Sequence, residues 1–400
     1  NRSVDEVVTA AIQEDAHGIA VSSYQGGHVE YFKYMVDLLS ERGRPDIQIF
    51  GGGGGVIVTS EIQDLHDYGI SRIYSPDDGQ SMGLPGMIHD MLQRVDRDLG
   101  DGLPRKFSEL QAGDHKILAR VISGLELGRL PKDFLDAIHA ESIRRSSTPV
   151  LGITGTGGAG KSSLTDEIIG RFRLYSNEPK IAVVAVDPSR RKTKGALLGD
   201  RIRMNAINSE KIYMRSIATR DSHSEVPPAV PNIIAACKTA GFDLIIIETP
   251  GIGQGDTAIV NYVDLSMYVM TPEFGAQSQL EKIDMLDFAD VIAINKFDRK
   301  GALDAMRDVR KQVQRNREAF DQPPDEMPVF GCMASQFADI GITGLYQNIL
   351  NQLTQRGLGD FICSIEPVNV TQSKPNQAIV PPERARYLAE IAETIRNYHK

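Results

Sequence analysis

Apolar and polar positions along this 400-residue chain follow two periods, and the changes of period mark the elements. Residues 18–22 and 46–50 are short apolar runs that predict strands, and Phe32, Met35, Val36 and Leu39 recur between them at helical spacing. A helix at 60–68 and a strand at 71–74 follow, so the first hundred residues predict a parallel α/β unit, with the chain opening inside a helical pattern. Residues 101–147 read as helical, with Ile117, Leu118, Val121, Ile122 and Leu125 on one stripe, and are expected to form a packed linker. From 148 to 360 strands and helices alternate again, the strands predicted at 149–154, 181–186, 212–217, 244–248, 265–270, 291–295 and 328–332. A Pro-, Gln- and Ser-rich stretch at 371–382 then leads to a helix opening at Pro382-Glu383, with Leu388, Ile391 and Ile395 on one face. The pattern divides the chain into 1–100, 101–147, 148–360 and 361–400, and the chain as a whole is of α/β class.

Chemistry enters at the junction of the first strand and first helix of the 148–360 segment. Gly155-Thr156-Gly157-Gly158-Ala159-Gly160-Lys161-Ser162 fits G-x-x-x-x-G-K-[ST] at every fixed position, and the strand-turn-helix context is the one that turns this pattern into a phosphate site. Backbone N–H groups and the helix N-terminus would face the phosphates, Lys161 would neutralise the outer ones, and the Ser162 hydroxyl would coordinate Mg²⁺, with Ser163 next in the loop. The alternative is a Gly-rich strand-to-helix turn that binds nothing, and average residue usage gives a chance match in a chain of this length at roughly a per cent.

Asn295-Lys296-Phe297-Asp298 follows a buried strand and matches the N-K-x-D guanine reader, in which the Asp298 carboxylate accepts from the ring N–H and the exocyclic amine, a donor pair that adenine lacks. Ala334 and Ser335, at the end of the next strand, stand where a backbone amide would meet guanine O6. Glu248-Thr249-Pro250-Gly251 ends another strand: its carboxylate would serve the metal, and the Gly251 N–H would report the γ-phosphate. Asp187 and Asp200 are further carboxylates for the metal, and 187–200 has the composition of a segment whose order depends on nucleotide. Lys161, Glu248 and Gly251 are therefore the residues expected to act on the phosphoryl group, with Gln254 available to orient water.

Composition narrows the partners. A formal net charge of −9 without a basic block argues against nucleic acid or an anionic membrane as the main partner. Cys237, Cys332 and Cys363 lack metal-ligand spacing, and are expected to be reduced, buried thiols of a cytoplasmic protein. The glycines from Gly51 to Gly55, at a strand's C-terminal end, would let a flat or bulky ligand approach the backbone.

Two groups of residues carry a resemblance. Residues 183–189, Leu198-Gly199-Asp200-Arg201-Ile202-Arg203-Met204 and Glu248-Thr249-Pro250-Gly251-Ile252-Gly253-Gln254 resemble the G-protein chaperones that serve adenosylcobalamin-dependent acyl-CoA mutases. The first segment resembles the cobalamin-binding module of those mutases: Ser22, Ser23 and Tyr24 stand for its S-x-L element, Gly26 and Gly27 follow, and Gly54-Gly55 is its GG pair. Both modules on one chain, cobalamin module first, resemble the fused isobutyryl-CoA mutases, in which the G domain lies between the cobalamin domain and a substrate barrel. The resemblance implies a truncated flavodoxin-like cobalamin-binding domain, a helical linker and a P-loop GTPase domain with a parallel-rich sheet. It further implies GTP/GDP and Mg²⁺ at the phosphate loop with Arg203 among the nucleotide contacts, adenosylcobalamin in the full-length protein, and a GTPase that gates cofactor loading and protects the mutase. Acyl-CoA, a cobalamin adenosyltransferase and a second copy of the full-length protein are the partners it implies.

Asp64-Leu65-His66-Asp67-Tyr68-Gly69 matches that family's cobalt-ligating D-x-H-x-x-G, but lies after the S-x-L and GG elements rather than before them, so His66 is expected to be structural and the true ligand to lie upstream of Asn1. The rival readings are a stand-alone signalling or transport GTPase with an unrelated N-terminal module, a P-loop ATPase or kinase with a coincidental N-K-x-D, and a cobalamin-sensing regulator.

Overall fold

The computed structural model describes residues 2–24, 26–104, 106–187, 199–219, 226–251, 257–275, 277–373 and 387–398. The first module runs α1 (Val4–Gln13), β1 (Gly18–Ser22), α2 (His28–Glu41), β2 (Gln48–Gly52), α3 (Thr59–Tyr68), β3 (Arg72–Tyr74) and α4 (Pro76–Val95). Ser3 starts α1 with a capping box, its side chain accepting from the Glu6 N–H while Glu6 accepts from the Ser3 N–H, which satisfies two otherwise orphaned donors. The strands form a parallel sheet in the order β1-β2-β3, covered by Val8, Phe32, Met35, Leu39 and Leu65.

Two differences from the sequence reading have local causes. The second strand starts at Gln48 rather than at 46, because Asp46 is bound by the fully buried Arg44 and by Arg97. Burial works the other way, but the Arg44 and Arg97 hydrogen bonds hold the Asp46 carboxyl down at about 2. The long α4 was not foreseen, since Gly79, Gly83, Pro85 and Gly86 interrupt its pattern; it kinks at Gly83 and buries no described side chain.

After α5 (Phe107–Gln111), α6 (His115–Leu127) and α7 (Lys132–Arg144) comes the larger unit: β4 (Val150–Gly155), α8 (Lys161–Tyr175), β5 (Ile181–Asp187), α9 (Gly199–Arg203), β6 (Ile212–Ala218), α10 (Val230–Thr239), β7 (Leu244–Glu248) and β8 (Leu265–Met270). It continues through α11 (Gln277–Leu280), α12 (Met285–Phe288), β9 (Val291–Ile294), α13 (Ala302–Asn316), β10 (Val329–Gly331) and α14 (Ile340–Gln355), with α15 (Tyr387–Tyr398) beyond. The seven strands are parallel in the order β10-β9-β8-β4-β7-β5-β6. Buried on both faces, they are continuous apolar runs rather than alternating ones. In β5 the faces separate residue by residue: Ile181, Val183 and Ala185 join Leu164, Ile168 and Phe172 of α8, whereas Ala182, Val184 and Val186 join α6, α7 and α10. The 101–147 helices thus pack as a layer on the large sheet, burying Leu118, Val121, Ile122 and Ile138 against it. From β4 the strand order extends to both flanks, leaving a crevice at the C-terminal ends where such sheets bind ligands.

The first module meets this sheet at the end of α1. Along the outer edge of β6, Gln13 Nε2 donates to the Ile212 carbonyl at 3.1 Å, the Met214 N–H donates to Gln13 Oε1 at 3.3 Å, and the Ser216 N–H donates to Glu14 at 3.1 Å. Arg201 of α9 joins them, donating to Glu14 Oε1 at 3.0 Å, to the Met214 carbonyl at 2.9 Å and to Gln13. On the opposite edge, Gly331 of β10 donates to the Thr371 carbonyl and accepts from the Ser373 N–H, each at 2.9 Å. Of the cysteines, Cys237 and Cys332 are buried, with burial pushing the Cys237 thiol up to about 12, whereas Cys363 is exposed on the segment after α14 and so departs from the expectation. Pro382 and Glu383 lie outside the described residues, and Ile391 and Ile395 of α15 are exposed. Among the described residues no helix is long and apolar enough to cross a membrane.

Candidate functional site

The loop between β4 and α8 brings Gly158, Gly160, Lys161, Ser162 and Ser163 to a cavity of about 380 Å³ that is also lined by Asp187, Arg203, Glu248, Thr249 and Lys296. Five separate stretches of sequence therefore converge on one site. Gly160 sits at φ +86°, and a Cβ there would stand 2.6 Å from Asn295 Nδ2, so the loop closes over the helix start only with glycine. Gly157 faces the Gly251 carbonyl from the other side of the loop. Lys161 is buried, and its ammonium donates to the carbonyls of Gly155 at 3.2 Å and of Thr156 and Pro250 at 3.3 Å. These neutral acceptors hold the cation in place where an anionic phosphate would compete for it.

Glu248, at the end of β7, takes its two oxygens to successive turns of α8: Oε1 accepts from Ser162 Oγ at 2.7 Å and Oε2 from Thr165 Oγ1 at 3.0 Å. Thr249 donates to Thr154 at 2.8 Å within the core, which ties the end of β7 to β4. Gly251 at φ +68° could carry no side chain, since its Cβ would meet the Gly155 carbonyl oxygen at 1.9 Å and Lys161 Nζ at 2.4 Å. Ser162, Asp187, Glu248 and Thr249 bring only oxygen donors to the cavity, a set that suits a hard cation such as Mg²⁺. The Asp200 side chain, residues 188–198 and Gln254 lie outside the described residues.

Buried Asn295 bridges two loops: its Nδ2 donates to the Ala159 carbonyl at 2.8 Å, and its Oδ1 accepts the Ala334 N–H at 3.1 Å. Lys296, at φ +58°, donates to the Gly158 carbonyl at 2.7 Å. The Phe297 N–H donates to the Cys332 carbonyl at 3.0 Å, which joins the loop carrying Asp298 to the loop carrying Ser335; both of these side chains are exposed. A base bound there would be read by side chains held at a fixed offset from the phosphate loop.

The N-terminal candidates form a separate cluster at the C-terminal end of the three-stranded sheet. The Ser23 N–H donates to the Gly52 carbonyl at 2.9 Å, next to Ser22 at the end of β1. The Tyr24 ring, 69% exposed, overlies Gly54, where a Cβ would come within 2.8 Å of it. Around Gly26, Gly27 and Gly55 the surface is open, with nothing closer than 3.6 Å to a Cβ built on any of them. His66 stands apart from it, its Nε2 accepting the Ile73 N–H at 2.9 Å.

Sequence reasoning missed Thr165 at the phosphate site, although its place three residues after Ser162 puts both hydroxyls on one face of α8. It also missed Gln13, Glu14 and Arg201, whose partners lie about 200 residues away and leave no local signal.

The sequence pattern of the family described as Methylmalonyl Co-A mutase-associated GTPase MeaB matches residues 118–358. Along its whole length the chain is 61% identical to a Cupriavidus metallidurans protein named fused isobutyryl-CoA mutase, and spans 37% of that relative's length. A Mycobacterium bovis protein named "Probable GTPase Mb1533" is 33% identical over 57% of this chain and 69% of its own. The crystal structure of an LAO/AO transport system kinase is 25% identical, covering 62% of this chain and 74% of its own with a TM-score of 0.45.

Proposed function

Since the chain belongs to the MeaB family of methylmalonyl-CoA mutase-associated GTPases, we propose that residues 148–360 bind and hydrolyse GTP to gate cofactor loading in an adenosylcobalamin-dependent acyl-CoA mutase and to protect it. The observation that carries this is the cross-tie of Asn295 and Lys296 to Ala159 and Gly158, which couples guanine reading to the phosphate loop. Lys161 exchanges its backbone carbonyl partners for phosphate oxygens, and Ser163 and Arg203 line the same cavity. On this reading the Gly251 N–H reports the terminal phosphate. Mg²⁺, when held by Ser162, Asp187, Asp200, Glu248 and Thr249, would neutralise charge on the transferring group.

The name of the Cupriavidus metallidurans relative supports a longer polypeptide whose mutase interconverts isobutyryl-CoA and n-butyryl-CoA. Residues 1–100 are then the part of its cobalamin-binding domain present here, with Ser22, Ser23, Tyr24, Gly26, Gly27, Gly54 and Gly55 facing the corrin. Residues 101–147 link the two, and 361–400 lead toward the mutase. A cytoplasmic homodimer served by a cobalamin adenosyltransferase completes the reading.

Asp298→Asn tests the guanine assignment. Exchanging an acceptor for a donor is expected to weaken GTP binding by about 10–100-fold, the value of one or two charge-assisted hydrogen bonds, and to raise affinity for xanthosine triphosphate. Unchanged GTP affinity in a fluorescent-nucleotide titration would count against it.

A further inference from the structure

The Glu248 carboxylate has a second anchor that the phosphate-loop pattern does not contain. Thr165 is fully buried, and its Oγ1 lies 3.0 Å from Glu248 Oε2 and 3.0 Å from the Lys161 carbonyl. Ser162 holds the other oxygen at 2.7 Å. The two hydroxyls stand one helical turn apart in α8, so they clasp the carboxylate across a single face.

The clasp answers a specific problem. Glutamate carries one more torsion than aspartate would, and such a torsion has three staggered wells to choose among. Ser162 belongs to the set that would face a cation, so its hydroxyl changes partners as the site fills. Thr165 lies one turn deeper along α8, and its bond to Glu248 does not compete with a cation. We propose that Thr165 is a positioning residue: its hydroxyl fixes the Glu248 carboxylate so that this longer acid presents to the metal and phosphate in one orientation. This rests on the GTPase reading above, and adds to it a residue beyond the motif.

The test compares Thr165→Val, which keeps the shape and removes the hydroxyl, with Thr165→Ser, which keeps the hydroxyl, in the 400-residue chain. Binding of Mn²⁺ to the GDP complex is followed by electron paramagnetic resonance, and steady-state GTP hydrolysis by its kcat, KM and Mg²⁺ dependence. The valine variant is expected to bind Mn²⁺ about tenfold more weakly and to lose about tenfold in kcat, with KM for GTP at saturating Mg²⁺ within twofold of the parent. The serine variant is expected to recover both to within about threefold. Equal Mn²⁺ affinity in the valine and parent proteins overturns the proposal, as does failure of serine to rescue. Should the valine variant not fold by circular dichroism, Thr165→Ala against Thr165→Ser gives the same comparison. A parent chain that neither binds nor hydrolyses guanine nucleotide overturns the GTPase reading itself, whereas an active parent with an unaffected valine variant overturns only the role of Thr165.

Discussion

The Nε2 of His66 accepts the Ile73 N–H, and this one bond gives the ring its tautomer and its purpose. Ile73 lies on β3, which pairs with β2 alone, so the imidazole satisfies a backbone donor on a free sheet edge. Burial first, then the charges of Arg72 and Arg94, push the His66 pKa below the ordinary histidine value. A histidine pKa lowered by folding means that the unfolded chain binds more protons, so its contribution to stability is present above the unfolded pKa and is lost as pH falls through the folded one. His66→Ala is expected to lower stability at pH 7.5 by about 1–3 kcal/mol, since the Ile73 donor is left unpaired, and to flatten the decline of the urea midpoint below pH 6.5. It should leave the absorbance of added cobalamin unchanged from the parent; a spectral change produced by this variant would make His66 a cobalt ligand. Lys161, Ser162 and Asn295 could be singled out in the sequence because they stand at fixed letters of two motifs, and the structure brings the two motifs together. Thr165 could not, because its role exists only once β7 lies beside α8.

At the scale of elements, the strands of the large sheet could be read because burial on both faces leaves continuous β-branched runs, as in Ile181–Asp187. The helices α5 to α7 were legible as helices, but not as a layer of the large sheet, since an amphipathic stripe names a buried face without naming its partner. The contact of α1 with β6 is likewise invisible in the sequence. Glu14 and Arg201 are each about 9% exposed and hold each other along with the Ser216 N–H. Glu14→Ala leaves a buried guanidinium and an amide short of an acceptor, and is expected to cost about 3 kcal/mol in urea unfolding. A combined Glu14→Ala and Arg201→Met variant should recover part of that loss, and strict additivity in the double-mutant cycle would deny the coupling. Because Arg203 follows Arg201 by two residues and lines the phosphate cavity, the same substitution should also alter GTP affinity if α9 shifts.

For the whole molecule, the two sheets were legible as separate α/β units, whereas the way each edge of the large sheet is closed was not. Gln13 and Glu14 occupy one edge, and residues 371–373 the other. Both closures lie outside the span 118–358 that carries the family pattern. A fragment of residues 101–360 is expected to self-associate in sedimentation velocity at concentrations where the 400-residue chain stays a single species, because unpaired strand edges recruit one another. A monodisperse fragment would mean that other side chains protect those edges.

These closures also set a timetable for synthesis. Glu14 leaves the ribosome 202 residues ahead of its partner Ser216, a wait of roughly 10–40 s at bacterial-scale elongation rates. The opposite margin, at β10, takes its hydrogen bonds from residues 371–373. A nascent chain paused between residues 331 and 371 would expose that raw margin of a sheet whose strands are all made, so this interval is the stretch of translation in which the protein most needs a holdase at the exit tunnel.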